Sequence, residues 1–205
     1  MDRVLLFGGS FNPIHHGHLI VCRAVAERLK SARTLLIPSA RPPHKPERVL
    51  PPAADRVAMC RLATQDDPAF EVSDWEARQS GPNYTLHTVE HFARELGPGA
   101  ALHWLIGMDS LHELAAWYRA TELVEACTIV TAARPGFDPP ARSTLAACFA
   151  PPQVDKLLTH IVDSPRIDIA STDIRSRVSA GLSIRYLVPE AVRQYIAERG
   201  LYRGD

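Results

Sequence analysis

Residues 8–19 read GGSFNPIHHGHL and follow directly on the apolar run Val4-Leu5-Leu6-Phe7. A short apolar run ending in Gly-Gly predicts a buried strand and a tight turn. Beyond Gly17, the residues Cys22, Val25, Ala26 and Leu29 fall at helical spacing, which predicts a helix with one apolar face. The stretch therefore joins a strand to a helix. Gly8 and Gly9 permit backbone conformations closed to other residues and let a ligand come close to the main chain. The N–H groups exposed there and at the helix start favour an anion. His15 and His18 share one face if the helix has begun, and Gly17 between them leaves room for a ligand. Other readings exist for the stretch alone. A Gly-Gly turn is most often only a turn, and clustered histidines can bind zinc. No cysteine or further histidine lies nearby at ligand spacing. Neither GxGxxG nor GxxxxGK is present, so the two common phosphate-loop fingerprints are missing.

Outward from this stretch, short strands and helices alternate. Strands are predicted at 34–38, 70–73, 101–106 and 127–132, with one more at either 160–162 or 167–169. Helices are predicted over 55–65, with Ala58, Met59, Leu62 and Ala63 on one face, and over 84–96, 121–125 and 171–180. Helical turns pass through Leu111 and Leu114, and a last helix opens at Pro189-Glu190. The prolines of ARPPHKPERVLPP, 40–52, make that segment an exposed loop. Residues 135–159 are interrupted by prolines and show no organising pattern. Alternation of this kind argues for an α/β fold, a Rossmann-like doubly wound parallel sheet flanked by helices. Ligands of such sheets sit beyond the carboxyl ends of the strands. No domain boundary is legible, so 1–205 reads as one domain with a C-terminal helical part from about residue 171.

Composition narrows the function classes. The 205 residues are 46% hydrophobic, with 23 Lys and Arg against 23 Asp and Glu. A chain of that length can bury a sizeable core. Balanced charge disfavours a nucleic-acid polymer but leaves room for a local anion pocket. The four cysteines form no CxxC pair, and reduced, mostly buried thiols of a cytoplasmic protein are expected. With no charged-then-apolar leader and no apolar run near 18 residues, neither export nor a membrane span is expected.

The segment Gly8-Gly9-Ser10-Phe11-Asn12-Pro13 with His15-His16-Gly17-His18 resembles the (H/T)xGH signature of the nucleotidyltransferase superfamily. Ile169-Ala170-Ser171-Thr172-Asp173-Ile174-Arg175 is similar to that superfamily's late SSTxIR motif. The two lie in the family's order and separation. The resemblance implies the HUP-type nucleotidyltransferase fold and adenylyl transfer, in which a phosphate of one substrate attacks the α-phosphate of ATP and pyrophosphate leaves. The attacking group is already an anion. The protein then needs positioning and electrostatics rather than a nucleophile. On this resemblance His15, His18 and Arg175 are the catalytic candidates. The histidines would donate to phosphate oxygens, more strongly when protonated, and magnesium would accompany ATP. ATP would meet Gly8, Gly9, Ser10, Phe11, His15, His18, Gly107, Asp109, Ser171, Thr172, Ile174 and Arg175. No side chain is assigned as a metal ligand.

Other segments resemble bacterial nicotinate-nucleotide adenylyltransferases over nearly the whole chain. They are Ile37-Pro38 with Arg41-Pro42-Pro43-His44-Lys45, Gly81-Pro82-Asn83-Tyr84-Thr85, Leu105-Ile106-Gly107-Met108-Asp109-Ser110-Leu111, Trp117-Tyr118, Arg134-Pro135-Gly136 and Gly200-Leu201-Tyr202-Arg203. The resemblance implies nicotinate mononucleotide as acceptor, met by Ser10, His44, Lys45, Tyr84, Thr85, Trp117 and Arg134, and deamido-NAD as product. The helix start at Tyr84 and Thr85 suits a carboxylate, Trp117 suits stacking on a cationic pyridine ring, and Asp109 suits a sugar hydroxyl. Two positions depart from the pattern. Asn12 stands where Asp is usual, which removes a charge near the phosphates, and Ala170 replaces a hydroxyl. A pantetheine-phosphate adenylyltransferase and a non-catalytic nucleotide sensor are the alternatives. The sequence leaves a homo-oligomer open.

Overall fold

The computed structural model describes residues 2–43, 50–133 and 136–204. Strand β1 (Asp2–Gly9) leads into α1 (His16–Leu29) and β2 (Arg33–Pro38). Then come α2 (Ala53–Thr64), β3 (Phe70–Val72), a 3₁₀ turn at Glu76–Arg78 and α3 (Thr85–Leu96). Strand β4 (Ala100–Gly107) runs directly into α4 (Met108–Glu113), followed by α5 (Ala120–Ala126) and β5 (Thr128–Ala132). Helices α6 (Arg142–Ala146) and α7 (Pro151–Thr159) occupy the stretch that shows no pattern in sequence. The chain closes with β6 (Ile161–Val162), α8 (Ser171–Ser179) and α9 (Glu190–Glu198).

The described strands form one parallel sheet in the order β3-β2-β1-β4-β5-β6. Its two faces are filled by alternate residues of the same strands. Val4, Leu6, Leu35, Ile37, Leu102, Trp104 and Ile106 face a layer built from α3 to α7. Leu5, Leu36, Leu105 and Val130 face the layer of α1, α2, α8 and α9. Period-two burial on both faces is why these strands read as unbroken apolar runs. The last two helices share the core of α1 and α2, and Tyr195 of α9 donates to the Asp55 carboxylate of α2 at 2.7 Å.

This topology locates the site. The chain leaves β1 toward β2 on one side and leaves β4 toward β5 on the other. A crevice therefore opens between the carboxyl ends of β1 and β4, at Gly9 and Gly107, as expected at the point where the winding direction reverses. Cys22, Cys60 and Cys127 are buried free thiols and Cys148 is exposed. Burial pushes the first two far above the usual thiol range and Cys127 up to about 12. They fill core space and offer no thiolate nucleophile.

Candidate active site

Two cavities meet at that crevice. The first, of 340 Å³, runs from the β1–α1 turn to α8 and is lined by Gly8 to Asn12, His15, Gly17, His18, Gly107, Asp109, Ser171, Thr172 and Arg175, among others. The second, of 350 Å³, runs toward α3 and is lined by Ser39, Glu76, Tyr84, Thr85, Trp104, Glu113, Trp117 and Tyr118. Gly8, Gly9, Ser10, Gly107 and Asp109 wall both. Each has the size and mixed lining of a small-molecule site, and the glycine-rich main chain lies between them.

The glycines are there for contact. A β-carbon on Gly8 would sit 2.4 and 2.5 Å from Cζ2 and Cη2 of Trp104, a buried ring. One on Gly107 would sit 2.5 Å from Oδ1 of Asp109. Gly8→Ala is therefore expected to displace Trp104 at the junction of both cavities. We expect it to cost about 1–3 kcal/mol of stability, read as a lower denaturant midpoint at unchanged slope.

His15 and His18 are organised as a capping pair. His15 is the N-cap of α1, just outside the helix, and His18 is its third residue. The His18 backbone N–H donates to Nδ1 of His15 at 3.3 Å, and the His15 N–H donates to Nδ1 of His18 at 3.3 Å. This reciprocal box usually employs Ser or Thr with Glu or Gln. The rings stack with centroids 3.6 Å apart, and Phe11 meets the His18 ring edge-on at 5.2 Å. A ring nitrogen that accepts carries no proton, so each neutral imidazole bears its proton on Nε2. Protonating Nδ1 would remove the cap acceptor, and the neutral Nε2–H is the donor this arrangement provides.

The late motif reaches the same place. Arg175 donates from Nη1 to the Asn12 carbonyl at 2.9 Å and from Nη2 to Thr172 Oγ1 at 3.3 Å. Ser171 donates its hydroxyl to the Pro13 carbonyl at 2.9 Å. The N-cap of α8 is Ala170, without a side-chain hydrogen bond, so Ser171 is not the cap and its hydroxyl ties α8 to the first loop. Ile174 is fully buried in the core beneath α8 and lines neither cavity. Its side chain packs in that core. Phe11 is likewise buried, although it walls the first cavity.

On the other side, Tyr84 is the N-cap of α3 and makes no side-chain cap. The N–H groups of His87 and Thr88 turn back to the Tyr84 carbonyl, which leaves the Thr85 and Leu86 N–H groups as the helix's outward donors. Tyr84 stacks on Tyr118 at 4.2 Å and holds the Trp117–Tyr118 segment against this helix start. Trp117 is half-buried on the cavity wall. Asp109 lies in the first turn of α4, whose N-cap is Gly107, so it is not a cap. His44, Lys45 and Arg134 lie outside the described residues.

Sequence reasoning passed over the buried charged residues Arg56 and Glu76. Arg56 of α2, 1% exposed, donates to the carbonyls of Pro51, Ser10, Ser39 and Ala40. It thereby fastens the ends of β1 and β2 together. Glu76 sits in the wall of the second cavity, 3% exposed. Arg56 is spaced with Met59 and Cys60 on the buried face of α2, and that i, i+3, i+4 pattern was the one available signal.

Comparison with known proteins agrees with this geometry. The cytidylyltransferase-like family model matches residues 6–177. A protein of Thermomicrobium roseum named "Probable nicotinate-nucleotide adenylyltransferase" is 42% identical over 99% of this chain and 92% of its own length. One of the same name from Moorella thermoacetica is 39% identical over 98% of this chain and 92% of its own. Among solved structures, Plasmodium falciparum nicotinic acid mononucleotide adenylyltransferase complexed with NaAD superposes with a TM-score of 0.79. It is 16% identical, covering 100% of this chain and 99% of that one, so the likeness is one of fold. With full-length relatives at this identity, the chain belongs to the nicotinate-nucleotide adenylyltransferase family, within the cytidylyltransferase-like group.

Proposed function

We propose that this protein transfers the adenylyl group of ATP to the phosphate of nicotinate mononucleotide, giving deamido-NAD and pyrophosphate in NAD biosynthesis. The observation that carries the reading is the pair of cavities joined at Gly8–Ser10 and Gly107–Asp109. One lobe takes ATP, the other takes the mononucleotide, and their phosphates meet at the shared main chain. The family relationship supports the same chemistry and does not favour the pantetheine alternative.

In this reading each residue acts by position and charge. The Nε2–H groups of His15 and His18 donate to the phosphates at the junction. Arg175, steadied by Asn12 and Thr172, takes the charge that moves onto the leaving pyrophosphate. Ser10 and the glycines bring backbone N–H groups to the phosphates, and Asp109 accepts from a ribose hydroxyl. Trp117 stacks on the pyridine ring, and the outward N–H groups at Thr85 and Leu86 meet the carboxylate with the positive end of α3 behind them. His44, Lys45 and Arg134 join the acceptor side on the family resemblance.

Magnesium bound to the triphosphate would neutralise part of its charge. The residues fit a cation carried in by ATP. Among the described residues no cluster of three or more metal-ligating side chains exists. Asn12 Oδ1, buried without a hydrogen-bond partner, and the Asp109 carboxylate are acceptors in the ATP lobe for a hydrated ion's waters.

The shared core of α8 and α9 with α1 and α2 supports one nucleotidyltransferase unit over 1–205. Unpaired buried thiols support a cytoplasmic setting, and no described helix is long and apolar enough to cross a membrane. The test is pyrophosphate release with ATP and magnesium, comparing nicotinate mononucleotide, nicotinamide mononucleotide and phosphopantetheine. Fastest release with the nicotinate form is expected. Release with phosphopantetheine alone would overturn the acceptor, and no release from protein that binds ATP would favour the sensor reading.

A further inference from the structure

Glu76 is a buried carboxyl group in the wall of the acceptor lobe, 3% exposed. Thr88 Oγ1 donates to Glu76 Oε1 at 2.5 Å, and the Ser39 hydroxyl also meets this carboxyl. Ser39 Oγ lies 3.1 Å from Asn83 Oδ1 as well. The orientation of the Asn83 amide is set, because Oδ1 receives the Arg41 N–H at 2.7 Å while Nδ2 donates to the Glu76 carbonyl at 3.2 Å. Asn83 Oδ1 therefore only accepts, so the single hydroxyl proton of Ser39 faces two acceptors, Asn83 Oδ1 and the Glu76 carboxyl. The two contacts are satisfied together only if Glu76 supplies a proton. An ionised Glu76 would leave two acceptors facing each other in a buried place.

The surroundings agree. Among the described residues no cation pairs with Glu76. From α2, Arg56 is the near charge, but its donors go to backbone carbonyls. The end of β2 contributes Ser39 and α3 contributes Thr88, both uncharged. On the segment of Glu76 itself, Asp74 pairs with Arg78 and Arg61 at the surface. Asp109 and Glu113 line the same lobe. Desolvation raises the Glu76 carboxyl from 4.5 to about 7, against smaller opposing effects of Thr88, Ser39 and Arg56.

We propose that Glu76 is a specificity-determining residue: held neutral by burial without a cationic partner, it lets the acceptor lobe admit a pyridine carboxylate and ties β2 to the α3 start that receives it. This rests on the reading of that lobe as the mononucleotide site. When Glu76 ionises, a negative charge faces the substrate carboxylate and leaves a carboxamide unaffected. Asp109, Glu113, Arg56 and the shared mononucleotide phosphate are the same in every arm of the comparison, so the ratio of the two acceptors isolates the effect of Glu76.

The experiment measures kcat and KM for nicotinate and nicotinamide mononucleotides from pH 6 to 8.5 in the wild type and in Glu76→Gln. In the wild type, KM for the nicotinate form is expected to rise about fivefold across that range, the effect of one partly screened charge at close range. The KM for the nicotinamide form should rise by a smaller factor, so that the nicotinate-to-nicotinamide KM ratio carries the effect. In Glu76→Gln the rise should vanish. An equal rise in the variant, or an equal rise for both acceptors, overturns the proposal. A substrate-free measurement separates this from failure of the functional reading. In the wild type labelled at glutamate side-chain carboxyls, one carbon resonance should titrate near pH 7; titration of every one in the ordinary carboxylate range overturns the proposal even if Glu76→Gln does not fold. Stability gives the same sign. The folded state holds this proton more tightly than the unfolded chain, so the contribution of Glu76 is full below 4.5 and is lost as pH rises to about 7. The midpoint of Glu76→Gln should gain on that of the wild type across this window.

Discussion

His18→Ala is expected to lower kcat by about 10²–10³, the cost of removing one preorganised donor at a site of developing charge. The substitution has a second effect, because Nδ1 of His18 accepts from the His15 N–H at the start of α1. Losing that cap costs about 1 kcal/mol of stability and frees the His15 ring, which stacks on His18 at 3.6 Å. His18→Gln separates the two. Glutamine at the third helical position can reach back to the N-cap N–H as in the usual capping box, yet it does not reproduce the imidazole Nε2–H. The denaturation midpoint of His18→Gln should therefore stay near that of the wild type while its kcat falls with that of His18→Ala. A His18→Gln enzyme with wild-type kcat would reduce His18 to its capping role.

That double use of one side chain shows what sequence can and cannot display. Strands β1, β2, β4 and β5 were legible because both faces of the sheet are covered and their central residues are mostly apolar. Of the two places for a last strand, 160–162 is the one used, at Ile161–Val162. Residues 135–159 hid α6 and α7 because prolines read as breakers, whereas Pro151 and Pro152 open α7, where their missing N–H groups cost nothing. On α2, Ala58, Leu62 and Ala63 are only half-buried, and the hidden face is Arg56, Met59 and Cys60. A buried arginine is discounted by any apolar pattern. It is tolerated here by four carbonyls from the turns that follow β1 and β2 and the segment before α2, partners that converge only in the fold. Glu76 was illegible for the same reason: its partners Ser39, Asn83 and Thr88 come from separate segments. The site residues at Gly8, His15, His18, Gly107, Asp109, Thr172 and Arg175 were legible as motifs, and the structure brings them to one cavity. The tautomer of the histidines was not, since it is set by backbone donors that sequence does not show.

Arg175→Ala is expected to lower kcat/KM for ATP by about 10²–10³, since a guanidinium clamp stabilises the charge that builds on a transferring phosphoryl group. Arg175→Lys should recover little of this. Arg175 spans the Asn12 carbonyl and the Thr172 hydroxyl with separate nitrogens, and an ammonium lacks the planar fork to hold both and still meet a phosphate. Position predicts which substrate suffers. Arg175 lines the first cavity and not the second, so KM for the mononucleotide should change far less than KM for ATP. Steady-state kinetics with each substrate varied in turn checks this. The tie between Ser171 and the Pro13 carbonyl supplies the control, because it pins α8 to the same loop without any charge. Ser171→Ala should loosen α8 by about 1 kcal/mol, the worth of an ordinary hydrogen bond, and leave kcat within a few-fold. If Ser171→Ala matched the loss in Arg175→Ala, the clamp would be a matter of holding two segments together. If only Arg175→Ala loses turnover, the charge itself is what the leaving pyrophosphate needs.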